Sequence, residues 1–414
     1  MVMPCCARSS PAGSDVRDNP DMPTTTATVA PGIERLLTAE RRLVEGRRVG
    51  LLCNPASVDS TLRHSADVLF ADGGLKLAAI FGPQHGFRAD LQDNMIETPH
   101  GRDTRRSVPI FSLYSEVREP SAEMLQGLDA LVIDIQDVGT RVYTFIYTVA
   151  NCMRAAARHG LPVIVCDRPN PINGVDVEGN LLDERYTSFV GQFPIPMRHG
   201  MTVGEIALLF NTAFDIGADV HVVQMEGWRR EMFFEETRLP FVMPSPNIPT
   251  VDTAVVYPGA VLFEGTKLSE GRGTTRPFEL IGAPWIDGER LAEAMNARQL
   301  PGIHFRPAFF EPTFQKQAKQ PCGGCQLHVL DRHAFRPVRT SVELIEEFHR
   351  QNPSHFAWRE PPYEYEHDKM PIDILYGSDQ LRAAIDAGGV ADLVSGWGTH
   401  EEAFKRLRAP FLLY

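Results

Sequence analysis

Residues 131–148 read LVIDIQDVGTRVYTFIYT. Leu131, Val132 and Ile133 form an apolar run of the kind that makes a strand buried on both faces of a parallel sheet. The run ends in Asp134, Gln136 and Asp137, passes Gly139, Arg141 and Tyr143, and then takes up an apolar helical pattern. In open α/β sheets ligands bind beyond the carboxyl ends of the strands. Two acids, an amide, an arginine and a tyrosine at such a place mark a candidate site. Ordinary loop polarity has the same composition, so one loop alone does not decide.

The same unit recurs on either side. A strand at Arg48–Cys53 runs into Asn54, one at Leu75–Phe81 into Gln84 and His85, and one at Val163–Cys166 into Asp167, Arg168 and Asn170. Helical patterns stand between them, from Gly32 to about Val44, at about 60–71 and at 144–159, with a further short apolar strand at Val108–Leu113. Strand–loop–helix alternation predicts an α/β fold, a Rossmann-like doubly wound parallel sheet. Right-handed crossovers put all the strand-end loops on one edge. Their convergence argues for a site far more strongly than any one of them. No GxGxxG follows the first strand and no GxxxxGK[ST] or GxSxG occurs, so dinucleotide, P-loop and α/β-hydrolase chemistry lose their usual anchors. Cys53 and Cys166, at apolar strand ends, read as packing thiols.

Further on, Glu178 precedes Pro196-Met197-Arg198-His199-Gly200-Met201-Thr202, and Thr202 with Glu205 spells a helix capping box. Residues 263–279, FEGTKLSEGRGTTRPFE, form a glycine-rich loop carrying Glu264 and Arg272. Its glycines allow close backbone approach to a ligand, though a surface loop has the same content. After about 290 the pattern becomes that of a smaller α+β unit, whose most distinctive loop is YEYEHDKMP at 363–371. The expected organisation is a disordered tail at 1–31, a Rossmann-like catalytic domain at 32–290 and a smaller α+β auxiliary domain at 291–414, with the site in the cleft between them.

A net charge of −12 without a basic block argues against a nucleic-acid surface. No apolar stretch approaches the roughly 18 to 20 residues of a membrane helix. Seven cysteines without a disulfide framework favour a reducing compartment. Cys322-Gly-Gly-Cys325 lacks a second ligand pair at zinc spacing and reads as a glycine-bearing turn with two buried thiols. The tail has no basic segment followed by an apolar one, so the default location is cytoplasmic, with a periplasmic or secreted one as the alternative. No cofactor and no metal are expected. The sequence does not set an oligomeric state.

Asn54-Pro55, FGPQHGF (81–87), DIQDVGTRVYTF (134–145), DRPNP (167–171), PMRHGMT (196–202), PSPNIPT (244–250), YPG (257–259), the 263–279 loop and YEYEHDKMPIDILYG (363–377) stand in series. Together they resemble the exo-β-N-acetylmuramidases of glycoside hydrolase family 171, the DUF1343 family, over roughly residues 32–414. The resemblance implies the Rossmann-like and auxiliary domains, no nucleotide, and hydrolysis of β-1,4-linked N-acetylmuramic acid from the non-reducing end of peptidoglycan fragments. Many family members carry glutamate where this chain has Gln84, and an amide cannot serve as acid or anionic base. Glycoside hydrolysis generally uses two carboxyls flanking the bond. The expected pair is Glu97 and Glu178, with Asp134 in reserve. Expected substrate contacts are Asn54, Gln84, His85, Asp137, Arg141, Tyr143, Arg168, Asn170, Arg198, His199, Glu264 and Arg272. Among these Arg141, Arg168 or Arg198 would hold the lactyl carboxylate of muramic acid. A muropeptide-binding protein without turnover, and a hydrolase of another amino sugar, are the alternatives.

Overall fold

A computed structural model of the chain describes residues 28–92 and 95–414. The first six strands are β1 (Arg48–Cys53), β2 (Lys76–Gly82), β3 (Gly101–Asp103), β4 (Val108–Ser112), β5 (Ala130–Asp134) and β6 (Val163–Cys166). A two-stranded ribbon follows, β7 (Glu178–Leu181) with β8 (Pro196–Arg198), and then β9 (Val220–Val223). The main sheet has the order β3-β4-β2-β1-β5-β6-β9. All its neighbours are parallel except the short edge strand β3. Without β3 this is the strand order of the Rossmann fold, reversing between β1 and β5.

The stretch at 131–148 supplies the middle of that sheet. Every residue of β5 is buried. Leu131 and Ile133 face one core, with Phe145 and Val149 of the helix Phe145–His159. Ala130 and Val132 face the other, with Ile33, Ala66 and Leu69 of the helices Gly32–Leu36 and Ser65–Ala71. Alternate side chains pointing to opposite faces, both covered, explain why the run is apolar throughout. The long helix stops at Gly160, whose φ of 63° sets a left-handed C-terminal cap.

The first helix is shorter than its apolar pattern predicts. It ends at Leu36 and a 3-10 turn follows at Arg41–Leu43. There the Thr38 hydroxyl bonds the Glu34 carbonyl, offering the chain a local alternative to continued helix. Of the tail expected at 1–31, residues 1–27 lie outside the described residues. Val29 is buried and Ala30 bridges to Glu226, so the fold begins before residue 32.

The second unit holds an antiparallel sheet in the order β10-β12-β11, made of β10 (Leu280–Ala283), β11 (Ile303–Phe310) and β12 (Cys322–Val329). Cys322 to Cys325 is therefore strand and not the expected turn. Its two glycines let the Ile286 and Ile281 carbonyls approach so closely that a Cβ would stand 2.2 and 2.0 Å from them. Both thiols are buried, which pushes Cys322 up to about 11 and Cys325 to about 12. The helix Pro337–Gln351 packs against the helix Val251–Ala260. At that crossing a Cβ on Gly259 would meet the Pro337 carbonyl at 1.9 Å, so only glycine fits. One apolar core runs through from Leu131 and Phe145 to Val342 and Phe348. Among the described residues no helix is long and apolar enough to cross a membrane.

Candidate active site

At the reversal between β1 and β5, where doubly wound sheets usually bind their ligands, the strand ends are tied to each other. Asn54 donates to the Gln136 carbonyl at 3.0 Å and accepts from Ser57. Asp134 is fully buried and takes a forked bond from Arg168, at 2.5 and 2.8 Å, plus one from Ser65. Arg168 spends its remaining reach on the Val58 carbonyl. Asp137 accepts the Gly139 amide at 2.6 Å and faces His199 at 3.6 Å. Asn170 donates to the Met201 carbonyl and lies where a Cβ on Gly139 (φ 76°) would collide with it at 2.5 Å. These are the bonds of a braced sheet edge. They leave Asn54, Asp134, Arg168 and Asn170, expected at the substrate or in catalysis, hydrogen-bonded within the fold.

Arg141, expected at the lactyl carboxylate, is held more fully by the fold. Its guanidinium is wholly buried and donates to four carbonyls: Asn180 (3.1 Å), Ile195 (3.0 Å), Leu375 (2.9 Å) and Tyr376 (2.6 Å). The last two close the helix Pro371–Tyr376, so a cation caps the C-terminus of a helix from the second unit. Gly377 follows with φ 85°, and a Cβ there would lie 2.9 Å from the guanidinium. Burial pushes Arg141 down to about 10, which still leaves it charged at neutral pH. Arg198 likewise turns to the fold, bonding the Ile172 carbonyl and Asp176.

Glu178 has a capping duty that its sequence context hid. It accepts the Arg339 amide at 2.8 Å at the start of the helix Pro337–Gln351, whose own preceding residue, Arg336, makes no side-chain cap bond. Its second oxygen is buried without a hydrogen-bond partner, and burial pushes the carboxyl up to about 7. A carboxyl whose folded-state pKa exceeds its unfolded value adds stability that is complete below the unfolded pKa and lost as pH rises through the folded one. The window here is about pH 4.5 to 7. Glu178→Gln removes this titration, so the stability of the variant relative to the parent should rise between pH 5 and pH 8, by up to about 3 kcal/mol. Urea midpoints at the two pH values check this, and a difference that ignores pH refutes it.

The residues that do converge line a pocket with an empty volume of about 480 Å³, open solvent at its mouth included. Of the expected site residues it brings together Gln84, His85, Tyr143, Glu264 and Arg272, and it adds Ser245, Asn247, Tyr257, Tyr363 and Glu364. Tyr143 packs edge-on to Phe145 and Tyr257, and Tyr257 edge-on to Phe278, making an aromatic wall. Glu97 stands outside the lining and is half exposed, where Tyr365 bonds it at 3.2 Å and Arg118 pairs with it at 3.5 Å.

Two buried carboxyls face this pocket, Glu264 on the 3-10 turn Val261–Gly265 and Glu364 in the 363–371 loop. Glu264 is ion-paired to Arg272 at 2.8 Å and accepts the Tyr363 hydroxyl at 2.7 Å. Behind it Lys316 bonds Glu270 at 2.6 Å and the Phe263 and Thr266 carbonyls, so the backbone that carries Glu264 is fixed. Glu364 has neutral partners instead: the Gln84 amide at 3.2 Å and the Tyr114 hydroxyl at 2.8 Å. Gln84 is itself oriented, because its carbonyl oxygen accepts Thr144 at 2.7 Å. Burial foremost, with the charge of Glu264 adding to it, pushes the Glu364 carboxyl above its ordinary range. Glu364 and Tyr365 sit at the tip of a turn in which Tyr363 and Glu366 exchange both backbone bonds at 2.9 Å. Their φ angles are 44° and 68°, a left-handed pair that costs about 1–2 kcal/mol per non-glycine residue. Strain held in this way concentrates at functional sites. Glu364 lies in the distinctive 363–371 loop, and Ser245 and Asn247 in PSPNIPT. The sequence displayed these motifs without showing which side chain pointed inward.

Comparison with known proteins agrees over most of the chain. The model of the N-terminal part of the exo-β-N-acetylmuramidase NamZ matches residues 49–252, and that of its C-terminal part matches 255–414. The peptidoglycan β-N-acetylmuramidase NamZ of Bacillus subtilis (strain 168) is 44% identical over 400 residues, covering 96% of this chain and 94% of that one. Two crystal structures of DUF1343 family proteins from Bacteroides fragilis superpose with TM-scores of 0.84 and 0.73, at 33% and 30% identity. Each comparison covers 94% of this chain and 99% of the other. The chain belongs to the NamZ family of exo-β-N-acetylmuramidases.

Proposed function

We propose that the chain is an exo-acting glycoside hydrolase that releases N-acetylmuramic acid from the non-reducing end of peptidoglycan fragments. One observation carries this beyond kinship. A single short pocket holds two buried carboxyls in contrasting surroundings, Glu264 beside a cation and Glu364 among neutral donors. Environments that set two carboxyls apart in this way divide the roles of acid and ionised partner. Glu364, favoured in its protonated form, gives its proton to the glycosidic oxygen. The Tyr114 hydroxyl suits both of its states, since it can donate to the carboxylate or accept from the acid. Glu264 is the anionic partner facing the anomeric centre. Gln84 positions Glu364, so the amide at that place removes no acid from the pocket. Arg272, the guanidinium in the lining, pairs with Glu264 at 2.8 Å and fixes where that carboxylate stands.

The reading is tested with a chromogenic β-N-acetylmuramide and its N-acetylglucosaminide counterpart. Release from the muramide alone is the expected result. Release from the glucosaminide alone would mean another amino sugar is the substrate, and calorimetric binding without release would mean a binding protein. Action on imported fragments in the cytoplasm goes with this reading, and cell fractionation decides it.

A further inference from the structure

We infer that the rim formed by Tyr365, Arg118 and Glu97 is a leaving-group subsite, which binds the hexosamine ring on the far side of the scissile bond. This rests on Glu364 as the proton donor. A donor has to reach the glycosidic oxygen. The sugar attached to that oxygen must therefore leave the pocket past Glu364, and the side chain next along the chain is Tyr365. The two neighbours share Tyr114, which bonds Glu364 at 2.8 Å and packs edge-on to Tyr365 at 6.2 Å. Glu364 is 3% exposed and Tyr365 47%, which makes Tyr365 one of the few large exposed rings among the described residues.

The ring is held in place from behind. Arg118 lies 4.6 Å from the Tyr365 centroid and 4.3 Å from that of Tyr114, whose hydroxyl in turn bonds Glu364 at 2.8 Å. The same guanidinium pairs with Glu97, and Glu97 accepts the Tyr365 hydroxyl. One continuous set of contacts thus runs from the acid to the rim. An aromatic face beside a fixed ion pair suits a pyranose, whose C–H face packs on the ring while its hydroxyl and acetamido groups meet the charges. Because the platform is already ordered, little freedom is lost when the sugar arrives. Glu97 thereby gains a part in binding, and Tyr365 becomes a specificity-determining residue.

The test compares two substrates of the whole protein. One is the disaccharide of N-acetylmuramic acid β-1,4-linked to N-acetylglucosamine. The other is β-N-acetylmuramyl fluoride, which has no leaving sugar and needs little help from an acid. Tyr365→Asn removes the ring, and asparagine tolerates the left-handed φ. It should lower kcat/KM for the disaccharide about tenfold, mostly through KM, and leave the fluoride within about twofold. Tyr365→Phe keeps the ring and should keep disaccharide turnover within about threefold. Equal losses on both substrates would show that Tyr365 acts only by shaping the turn, and no loss on either would show no contact; both results overturn the subsite. A parent protein inert on both substrates overturns the muramidase reading, and the subsite with it.

Discussion

Glu364→Gln should lower kcat on muropeptide disaccharides at least about a hundredfold while the protein stays folded. The substitution keeps shape and polarity. The new amide can accept from Gln84 and donate to the Tyr114 hydroxyl, which now occupy its two oxygens. It also relieves the burial that disfavours the ionised carboxyl, so no loss of stability accompanies the loss of rate. Only the proton is missing. Fluoride leaves without one, so the variant should retain turnover of β-muramyl fluoride within about tenfold of the parent. Glu97→Gln is the control from the rim and should cost less than about tenfold on the disaccharide. If Glu97→Gln loses as much as Glu364→Gln and the fluoride rescues Glu97→Gln alone, the acid is not Glu364, and Glu97 returns as the candidate.

How much of this could be read from the chain follows from the range of each signal. Strand β5 and its neighbours were legible because burial on two faces writes itself as an unbroken apolar run, and crossover handedness then places the loops. The site was legible only as an edge. Polar residues at strand ends serve two purposes that look alike in sequence. Some brace the sheet, as Asp134 does with Arg168, and others face a ligand, as Gln84 does. The difference is a matter of partners from 34 to 280 positions away along the chain. Glu178 showed no capping pattern because the helix it caps begins at Pro337. Glu364 reaches Gln84 across 280 positions. Its turn also breaks the usual rule, since glutamate and tyrosine occupy positions with positive φ where asparagine and glycine are expected. Local propensity fails at that turn, and such failures are expected where a site stores strain.

Arg141→Met should destabilise the fold by roughly 3–6 kcal/mol, a large fraction of the about 5–15 kcal/mol that holds a domain together. The arginine organises four buried carbonyls from three parts of the chain. Methionine fills much of the volume and satisfies none of them. Each carbonyl left bare costs about 1–3 kcal/mol, and Tyr376 keeps a second donor, the Asn180 amide at 3.0 Å. Arg141→Lys should recover only part of the loss, because one ammonium cannot reproduce the geometry of a planar fork. A substrate-binding arginine behaves differently, raising KM on muramides while the urea midpoint holds. Here the midpoint should fall first. What activity remains below the transition should show a reduced kcat, because the helix that Arg141 caps begins at Pro371, seven residues after Glu364. With unchanged stability and a raised KM, Arg141 would instead be a contact for the lactyl carboxylate. With the midpoint lowered, the charged residue at the centre of the 131–148 stretch is the clamp that sets the second unit's acid over the first unit's floor.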